Sequence, residues 1–334
     1  NIEEPPTKVS FVVPRDVIIR SETPYVGWWD PKVSQWKLNG ISNTVYDPET
    51  RKIEFSSTHL TTALAIVHQR TFDVPYQQWY LSPLLSACKN YAVLQLTPKS
   101  QYSSLAYLGP ITLVIRNDKC KLVSPPRPEL AHLINKMMAP MSLLTKLASS
   151  GINLILEDRD GEYVERKPKM YDMELNAYKA ISRLCSICTF SSSKWNQNAA
   201  CPREVGIFQI AKQLHDIEYI DNPVTSDFVP PQDIDMEYIK KELTFNVSNE
   251  EEWDLMMFDS SKCGFTQCRE ETTENEESHE FKMETTPGLN THLNMTLALE
   301  EKNGSNMHET ILSTNQLLSD TVRKILNVVR PLGW

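Results

Sequence analysis

The first third of the chain is a series of short apolar segments separated by turn sequences, and this pattern limits the folds available to it. Asn39-Gly40 is a turn dipeptide, and short segments such as Lys52–Phe55 and Ala63–His68 are rich in β-branched, aromatic or other apolar residues. Short segments with turn signals at regular spacing are typical of antiparallel sheets. Residues 9–123 are therefore predicted to form an antiparallel β-sandwich.

A proline-rich stretch ends this series, and the periodicity changes after it. Residues 124–128 read Ser-Pro-Pro-Arg-Pro, which predicts a linker. Beyond it, Glu129–Ser149 and Asp172–Phe190 carry apolar residues at helical spacing, and Pro140 is expected to kink or split the first helix. The chain is thus predicted to be α+β, with the sandwich followed by a mixed helical and β domain over residues 129–334.

The last part of the chain combines a predicted strand, an acidic run and a helix. Thr291–Glu300 has apolar residues at alternate positions, which predicts a strand. Residues 269–280 are rich in Glu, which indicates a solvated loop or, alternatively, a docking strip for a basic partner. His308–Val329 carries an apolar stripe at helical spacing. We interpret this C-terminal stripe as core, with a docking face as the alternative.

Composition argues against several classes of protein. The chain has 34 Lys and Arg against 43 Asp and Glu, and only 10 glycines. Nucleic acid is not an expected partner, because phosphate binding needs a basic face. No glycine-rich phosphate loop occurs, which argues against a motor ATPase, a kinase or a dehydrogenase. No apolar run reaches the roughly 18 residues of a membrane span, so no membrane partner is expected.

The seven cysteines predict neither a disulfide framework nor a metal site. An odd number spread over the whole chain is unlike a secreted disulfide-rich protein, so a reducing compartment is expected. Cys185 and Cys188 have the spacing of a zinc-binding pair, with Cys201 and His215 downstream. The pair lies in a predicted apolar helix and no second pair follows it. Buried cysteines are therefore the favoured interpretation, and neither metal nor other cofactor is expected.

Three tryptophans lie near the turns at the start of the chain. Trp28 and Trp29 are adjacent, and Trp36 follows a short turn. Tryptophans between short strands most often fill a sandwich core, and we adopt that interpretation. The alternative is that the tryptophans are exposed and stack on sugars or bases.

One tripeptide gives a candidate for self-processing. His59-Leu60-Thr61, together with the preceding tryptophans, resembles the autoproteolysis site of adhesion receptors and polycystins. The resemblance implies that the Thr61 hydroxyl attacks the Leu60 carbonyl while His59 takes the proton. This chain departs from that family at four aligned cysteine positions, which hold Val26, Ile41, Phe55 and Ser57. The resemblance therefore implies a disulfide-free relative of the same sandwich.

A second resemblance covers most of the chain. The residues that carry it occur in order: Trp36–Ile41, Tyr46-Asp47, Arg51–Phe55, Thr58-His59, Ala63–Ala65, Gln69-Arg70, Asp73–Pro75, Trp79, Ile115–Asp118, Cys120, Gly151–Asn153 and Phe190–Asn196. This series resembles the central region of the cancer susceptibility candidate 1 family, also called dynein axonemal intermediate chain 7. The N-terminal region of that family is expected to be missing here. No WD-type repeat occurs, so no propeller is predicted.

The resemblance implies a non-enzymatic structural and regulatory subunit of an axonemal inner dynein arm. Its implied partners are axonemal dynein heavy and intermediate chains and the tubulin of the doublet microtubule, in the axoneme of motile cilia and the cytoskeleton of the cytoplasm. The sandwich exterior, the acidic loop 269–280 and the helix 308–329 are the surfaces expected to dock. The alternatives are a self-cleaving sandwich and an extracellular adhesion module, which glycans on Asn246, Asn294 or Asn303 would support.

Overall fold

The described residues of the computed structural model form antiparallel β-sheets and a layer of helices, which confirms the α+β prediction. They are residues 5–60, 62–84, 90–99, 108–164, 168–198, 203–212, 234, 236–240, 253–259, 263–266, 270, 291–303 and 315–334. The strands are β1 (Thr7–Val12), β2 (Tyr25–Asp30), β3 (Gln35–Lys37), β4 (Ile41–Asp47), β5 (Lys52–Ser57), β6 (Leu64–Val67), β7 (Tyr76–Pro83), β8 (Tyr91–Pro98), β9 (Ile111–Arg116), β10 (Lys119–Ser124), β11 (Cys188–Ser192), β12 (Val205–Lys212), β13 (Asp254–Asp259) and β14 (Cys263–Phe265). The helices are α1 (Pro140–Ser149), α2 (Tyr171–Leu184), α3 (Trp195–Asn198), α4 (236–240), α5 (Thr291–Asn303) and α6 (Gln316–Val329), with 3₁₀ turns at Pro128–Leu130 and Asp158–Glu162.

Residues 7–67 form two three-stranded sheets that pack face to face. One sheet has the strand order β1-β5-β4 and the other the order β3-β2-β6. In β5 the apolar residues alternate with polar ones, so Ile53 and Phe55 are buried on one side of the strand. Val26 of β2 joins them in a single apolar cluster, so the two sheets share a core. The predicted sandwich is therefore present, within the first part of the predicted range 9–123.

The four positions that align with cysteines of the autoproteolysis family are packed in or beside this core. Val26, Ile41 and Phe55 belong to the shared apolar cluster, and Ser57 is buried next to it. Ile41 and Ser57 also stand opposite each other in the pairing of β4 with β5. Val26 and Phe55 therefore pack between the two sheets, with the partly buried Ile41 against them, and the relation to the autoproteolysis family stays a prediction.

The remaining strands form one eight-stranded antiparallel sheet with the order β10-β9-β8-β7-β11-β12-β13-β14. β7 pairs with β11, where Leu81 stands opposite Phe190 and Tyr80 opposite Ser191. The predicted linker at residues 124–128 therefore lies between two halves of one hydrogen-bonded sheet. Period-two patterning identifies strands but does not tell a sandwich strand from a strand of a larger sheet, so the division into domains at residues 124–128 stays a prediction.

Pro140 begins α1 instead of kinking a longer helix. A proline suits the first helical position because the N–H that it lacks would have no intrahelical partner there. Upstream, Pro128–Leu130 is a 3₁₀ turn, and Ile134 and Met138 form isolated bridges to the edge of β10. The helix predicted over Glu129–Ser149 is thus wrong in its first half, because the backbone there pairs with a strand.

Two further element predictions differ from the structure. The helix predicted over Asp172–Phe190 ends at Leu184, and the β-branched and aromatic residues after it form β11 between β7 and β12. The strand predicted over Thr291–Glu300 is the helix α5. Its alternating apolar residues include Met295 and Leu299, which are four apart and are both buried, so the same residues also satisfy a helical period.

The helix α6 lies against α2 and the large sheet. Asn315 caps its N-terminus: the Asn315 side chain accepts hydrogen bonds from the backbone N–H groups of Leu317 and Leu318 at 2.9 and 3.4 Å. Its stripe residues, such as Leu318 and Val322, are fully buried in the main core, which confirms the core interpretation. Residues 308–314 of the predicted helix lie outside the described residues. Within the described part of the chain, no helix has both the length and the apolarity to cross a bilayer.

A buried ion-pair network, which we call the Arg330 clasp, joins the end of α6 to α2. The guanidinium of Arg330 bonds both carboxylate oxygens of Glu174, at 2.5 and 3.1 Å, and Asp158 at 2.7 Å. The Tyr178 hydroxyl donates to Glu174 at 3.1 Å and accepts from the Leu332 N–H at 3.0 Å. The side chains of Arg330 and Glu174 are only 3% and 1% exposed, so each charge depends on the other.

Replacing Arg330 with Met is expected to lower the free energy of unfolding by about 3–5 kcal/mol, because the buried Glu174 carboxylate then lacks its cation. Urea unfolding followed by circular dichroism measures the loss. Arg323→Met is the matched control: the Arg323–Asp320 pair is 40% and 37% exposed, and its loss is expected to cost less than about 1 kcal/mol. Equal losses in the two variants would contradict the argument from burial.

Candidate interaction surface

The candidate self-processing segment connects β5 to β6. The imidazole of His59 stacks on Trp28, with ring centroids 4.0 Å apart. Ser57 Oγ accepts from the His59 N–H at 3.0 Å and donates to the His59 carbonyl at 2.9 Å, so Ser57 fixes the backbone of the turn. Leu60 is half-exposed, and Thr61 lies outside the described residues. A reactive pairing of His59 with the Thr61 hydroxyl therefore stays a prediction.

The cysteine pair lies in the core and does not share one helix. Cys185 follows the last residue of α2, and Cys188 begins β11. Both are fully buried in the main apolar cluster, and burial raises the pKa of the Cys185 thiol to about 12. A thiol with such a pKa is protonated and is a poor metal ligand. Cys201 and His215 lie outside the described residues, and the described ones contain no group of three or more His, Cys, Asp or Glu side chains placed to hold a metal.

An open cavity of about 840 Å³ lies between the 3₁₀ turn at Asp158–Glu162 and the start of α2. Lys169 in its wall is buried, and its ammonium group donates to the backbone carbonyls of Asn196 and Val205 at 2.6 Å each. Burial lowers the pKa of Lys169 to about 8, and the nearby Glu174 opposes this shift. Because the contacts are to two backbone carbonyls, Lys169 fastens α3 to β12, and we assign it a structural role.

Of the three surfaces expected to dock, the helix stripe is not available to a partner. Leu318, Val322 and Val329 of α6 are fully buried, so the prediction that stripe residues form an exposed docking face is wrong. Of the acidic run 269–280, the structure describes Glu270, whose carboxylate accepts hydrogen bonds from Ser193 and from the Lys194 N–H. The sandwich exterior is the expected docking surface that the described residues support best.

The adjacent tryptophans point to opposite sides of β2, as consecutive residues of a strand must. Trp28 faces inward, where it is almost fully buried and its indole N–H donates to the Asn39 carbonyl at 2.7 Å. The core interpretation is therefore correct for Trp28 and wrong for Trp29 and for Trp36, which packs beside Trp29 on the outside. The strand alternation was visible in the sequence and would have identified the outward residue.

The outside of the β3-β2-β6 sheet carries a surface that we call the outer aromatic face. Trp29 and Trp36 meet edge to face, with ring centroids 5.4 Å apart, and Trp36 is 43% exposed. Tyr25, at the other end of β2, is 64% exposed. Ala65 and Val67 of β6 lie on the same side, since Leu64 and Ile66, which alternate with them, pack against the sandwich core. These five residues define the face.

A glycine makes the outer aromatic face continuous. A Cβ atom on Gly27 would lie 3.1 Å from a methyl group of Val67 and 3.3 Å from the Lys37 carbonyl oxygen. Without that atom, Val67 packs closely over β2 between Tyr25 and Trp29. The outward positions of β2, β3 and β6, all of which are described, include no charged residue. This chemistry suits an apolar partner surface.

Replacing Thr61 with Ala is expected to change the mass of the intact chain only by the substituted atoms. The reason is that packed core residues stand where the autoproteolysis family has disulfides, so the strain that cleavage needs has no covalent support. Intact-mass spectrometry of the wild type should give one species. Thr58→Ala, in the same turn, is the control. Self-cleavage would be established if the wild type and Thr58→Ala each gave two fragments while Thr61→Ala gave one intact chain.

Comparison with curated proteins finds relatives that share one name. Dynein axonemal intermediate chain 7 of Bos taurus is 31% identical over 222 residues, which cover 66% of this chain and 29% of the relative. The homolog of Ciona intestinalis is 30% identical over 215 residues, covering 64% and 27%. The Danio rerio protein is 28% identical over 209 residues, covering 63% and 26%. No family model matches the chain.

The chain therefore spans less than a third of the length of the curated relatives that it matches. The agreement in name across a tunicate, a mammal and a fish accords with the ordered series of motifs in the sequence. Over about two thirds of its length, this chain is similar to proteins named dynein axonemal intermediate chain 7.

Proposed function

We propose that this chain is a non-enzymatic structural subunit of an axonemal dynein, and that it supports assembly of an inner dynein arm on the doublet microtubule and thereby ciliary motility. The observation that carries the proposal is its identity of about 30% to proteins named dynein axonemal intermediate chain 7. Its expected location is the axoneme of motile cilia. Its expected partners are axonemal dynein heavy and intermediate chains, with tubulin as a further candidate.

The chemistry of the buried polar groups supports a structural role. Arg330 and Glu174 neutralise each other, and Lys169 bonds two backbone carbonyls. The Cys185 thiol lies in the core with a raised pKa, whereas a reactive cysteine is partly exposed and has a lowered pKa. These groups stabilise contacts between elements of the fold, which is the role expected of them in a scaffold.

The cysteines also support this proposal over an extracellular adhesion module. Cys120, Cys185 and Cys263 are buried thiols that form no disulfide, whereas extracellular domains commonly use paired cysteines as crosslinks. Asn294, in one of the three possible glycosylation sequences, lies within the helix α5, whereas acceptor sites normally lie in surface loops.

We propose the outer aromatic face as the docking surface for a dynein chain. Exposed aromatic side chains are typical anchors of protein interfaces. The chain carries a net charge of −9, which does not favour bulk electrostatic binding to the acidic surface of a microtubule. Apolar contacts with a dynein chain are screened little by salt, whereas contacts between exposed charges weaken strongly.

Extraction of isolated cilia at rising ionic strength tests the proposed assembly. The protein is expected to stay with the axoneme at low salt and to leave together with dynein heavy chains, because apolar contacts hold it to them. Immunoblots of each fraction for this protein, a dynein heavy chain and tubulin give the result. Release at low salt, alone and well before any dynein chain, would contradict the proposal.

Replacing Trp36 with Ser is expected to lower recovery of the dynein heavy chain with the tagged protein by about 10- to 30-fold, as for an interface anchor worth about 2 kcal/mol. Tyr163→Ser is the matched control, since Tyr163 is 72% exposed and lies outside the outer aromatic face. Thermal melting of both variants, followed by circular dichroism, is the control that separates lost binding from lost folding, because Trp36 also packs against Trp29. Equal recovery with the two variants would remove the outer aromatic face from the proposal.

A further inference from the structure

β6 is the edge strand of the β3-β2-β6 sheet, and within the described residues its one neighbour is β2. The Trp29 N–H donates to the Ala63 carbonyl at 2.9 Å, so this pair is a hydrogen-bonded one. Such pairs alternate along an antiparallel ladder, so Ala65 also directs its backbone groups toward β2. The N–H and C=O groups of Leu64 and Ile66 therefore point to the open edge.

The edges of the eight-stranded sheet are protected. At one end, Cys120 and Leu122 of β10 form bridges to Met138 and Ile134, with N···O distances of 2.9 Å in both directions between Cys120 and Met138. At the other end, β14 is only three residues long and packs against α5. A covered edge and a very short edge are both ways in which proteins prevent an extra strand from adding.

The other edges of the sandwich are protected by charge, length or a bulge. β1 carries Lys8, and β3 has three residues that include Lys37. The register of β4 is interrupted between Ser42 and Val45, where Asn43 has a φ of 55°. Edge lysines and bulges disfavour strand addition because they place a charge or a twist in the path of a new strand.

Among the described residues, β6 has no charge, no bulge and no covering segment, and it is one residue longer than β3 and β14. Its sequence, Leu64-Ala-Ile-Val67, contains no charge and no proline, and its register with β2 is regular over all four residues. Two inward side chains anchor it in the sandwich core. Within the part of the chain that the structure describes, the edge is thus extended and the backbone groups of Leu64 and Ile66 are unpaired, which is the geometry that strand addition requires.

The outward side of β6 carries a small side chain at its centre, with larger side chains on either side. Ala63 and Ala65 are small, whereas Trp29 stands opposite Ala63, and Val67 closes the far end. A residue added opposite Ala65 would lie about 5 Å from it and would meet only its methyl group. A bulky apolar side chain at that position can therefore fill the space between Trp29 and Val67.

We propose that β6 accepts an extended, uncharged segment of another polypeptide as a fourth strand, with a bulky apolar residue opposite Ala65. The inference rests on the proposed function, since it places the segment in a chain of the dynein arm. Backbone hydrogen bonds to Leu64 and Ile66 give the affinity, and the outward side of β6 together with the outer aromatic face selects an apolar segment.

A second copy of this chain fits the edge poorly. In the antiparallel register that pairs Leu64 of each copy with Ile66 of the other, Ala65 stands opposite the same alanine of the second copy. Two methyl groups then face each other, and the space beside Trp29 stays unfilled, which leaves poor packing at the centre of the contact. The sequence of β6 therefore favours a partner strand that carries a larger residue at this position.

Hydrogen exchange on the isolated chain and on the dynein complex extracted from cilia tests the backbone contact. The amides of Leu64 and Ile66 are expected to exchange at least about 10-fold more slowly in the complex, because the added strand bonds them. The amide of Ala65 faces β2 in both forms and is the internal reference.

Ala65→Lys tests the side-chain contact. The lysine is solvated in the free chain but would be buried beneath the partner residue, so recovery of dynein heavy chain should fall at least about 10-fold. Val45→Lys is the matched control, because Val45 is an outward residue of the edge strand β4 and is 63% exposed. Both variants should melt like the wild type.

The outcomes separate this inference from the proposed function. A chain that is recovered with dynein, but whose Leu64 and Ile66 amides exchange equally fast in both forms, overturns strand addition and leaves the proposed function standing. A chain that never accompanies dynein overturns both. If the isolated chain is a dimer and Ala65→Lys makes it a monomer, the strand added at the edge belongs to a second copy. That outcome overturns the choice of a dynein-arm chain as the partner.

Discussion

The structure depends on the pairing of β7 with β11, which joins the two halves of the chain in one sheet. Leu81 and Phe190 stand opposite each other and are fully buried, so the pairing is made over the main core. Closing such a long loop costs entropy, and burial of large apolar side chains, each worth about 1.5–3 kcal/mol, offsets it. Without this pairing the sheet would divide into two four-stranded halves, and β7 and β11 would each become an unpaired edge strand.

Local features of this fold could be predicted from the sequence, because local interactions determine them. The turn between β4 and β5 is held by Asp47, whose carboxylate accepts from the Glu49 N–H at 3.1 Å and from the Thr50 hydroxyl. The alternation of Ile53 and Phe55 with polar residues then sets the face of β5. The partner of β7 could not be predicted this way, since its pairing depends on β11, far away in the chain.

The errors in secondary structure have the same origin, because each concerns a segment whose conformation is decided by a distant neighbour. The spacing of Met295 and Leu299 satisfies a strand and a helix, and α5 forms where it can pack on α2 and β14. Ile134 and Met138 would suit a helix, but the open edge of β10 pairs with them instead. The α6 stripe was ambiguous between core and surface until the sheet beneath it was known.

The candidate site could be predicted only in part, and for a related reason. The sequence identifies the tryptophans but not their partners, so the outer aromatic face emerges only when β3, β2 and β6 are placed side by side. Strand alternation alone does assign Trp28 and Trp29 to opposite sides. No local sequence pattern identifies β6 as an edge strand, because its position in the sheet depends on which other strands pair with it.

Docking at the β6 edge depends on how firmly the sandwich is attached to the rest of the chain. Arg20 and Asp73 form a buried ion pair at 2.7 Å beside the connection from the sandwich to β7, and the Ile18 N–H donates to the Ser150 carbonyl at 2.9 Å, at the end of α1. Arg70 bonds the buried Asp160 at 2.8 Å. A single flexible linker would let the sandwich rotate, and ordering it would reduce the affinity for a partner. These contacts fix the orientation of β6 before a partner arrives, so the free energy of strand addition is not spent on ordering the domain that presents it.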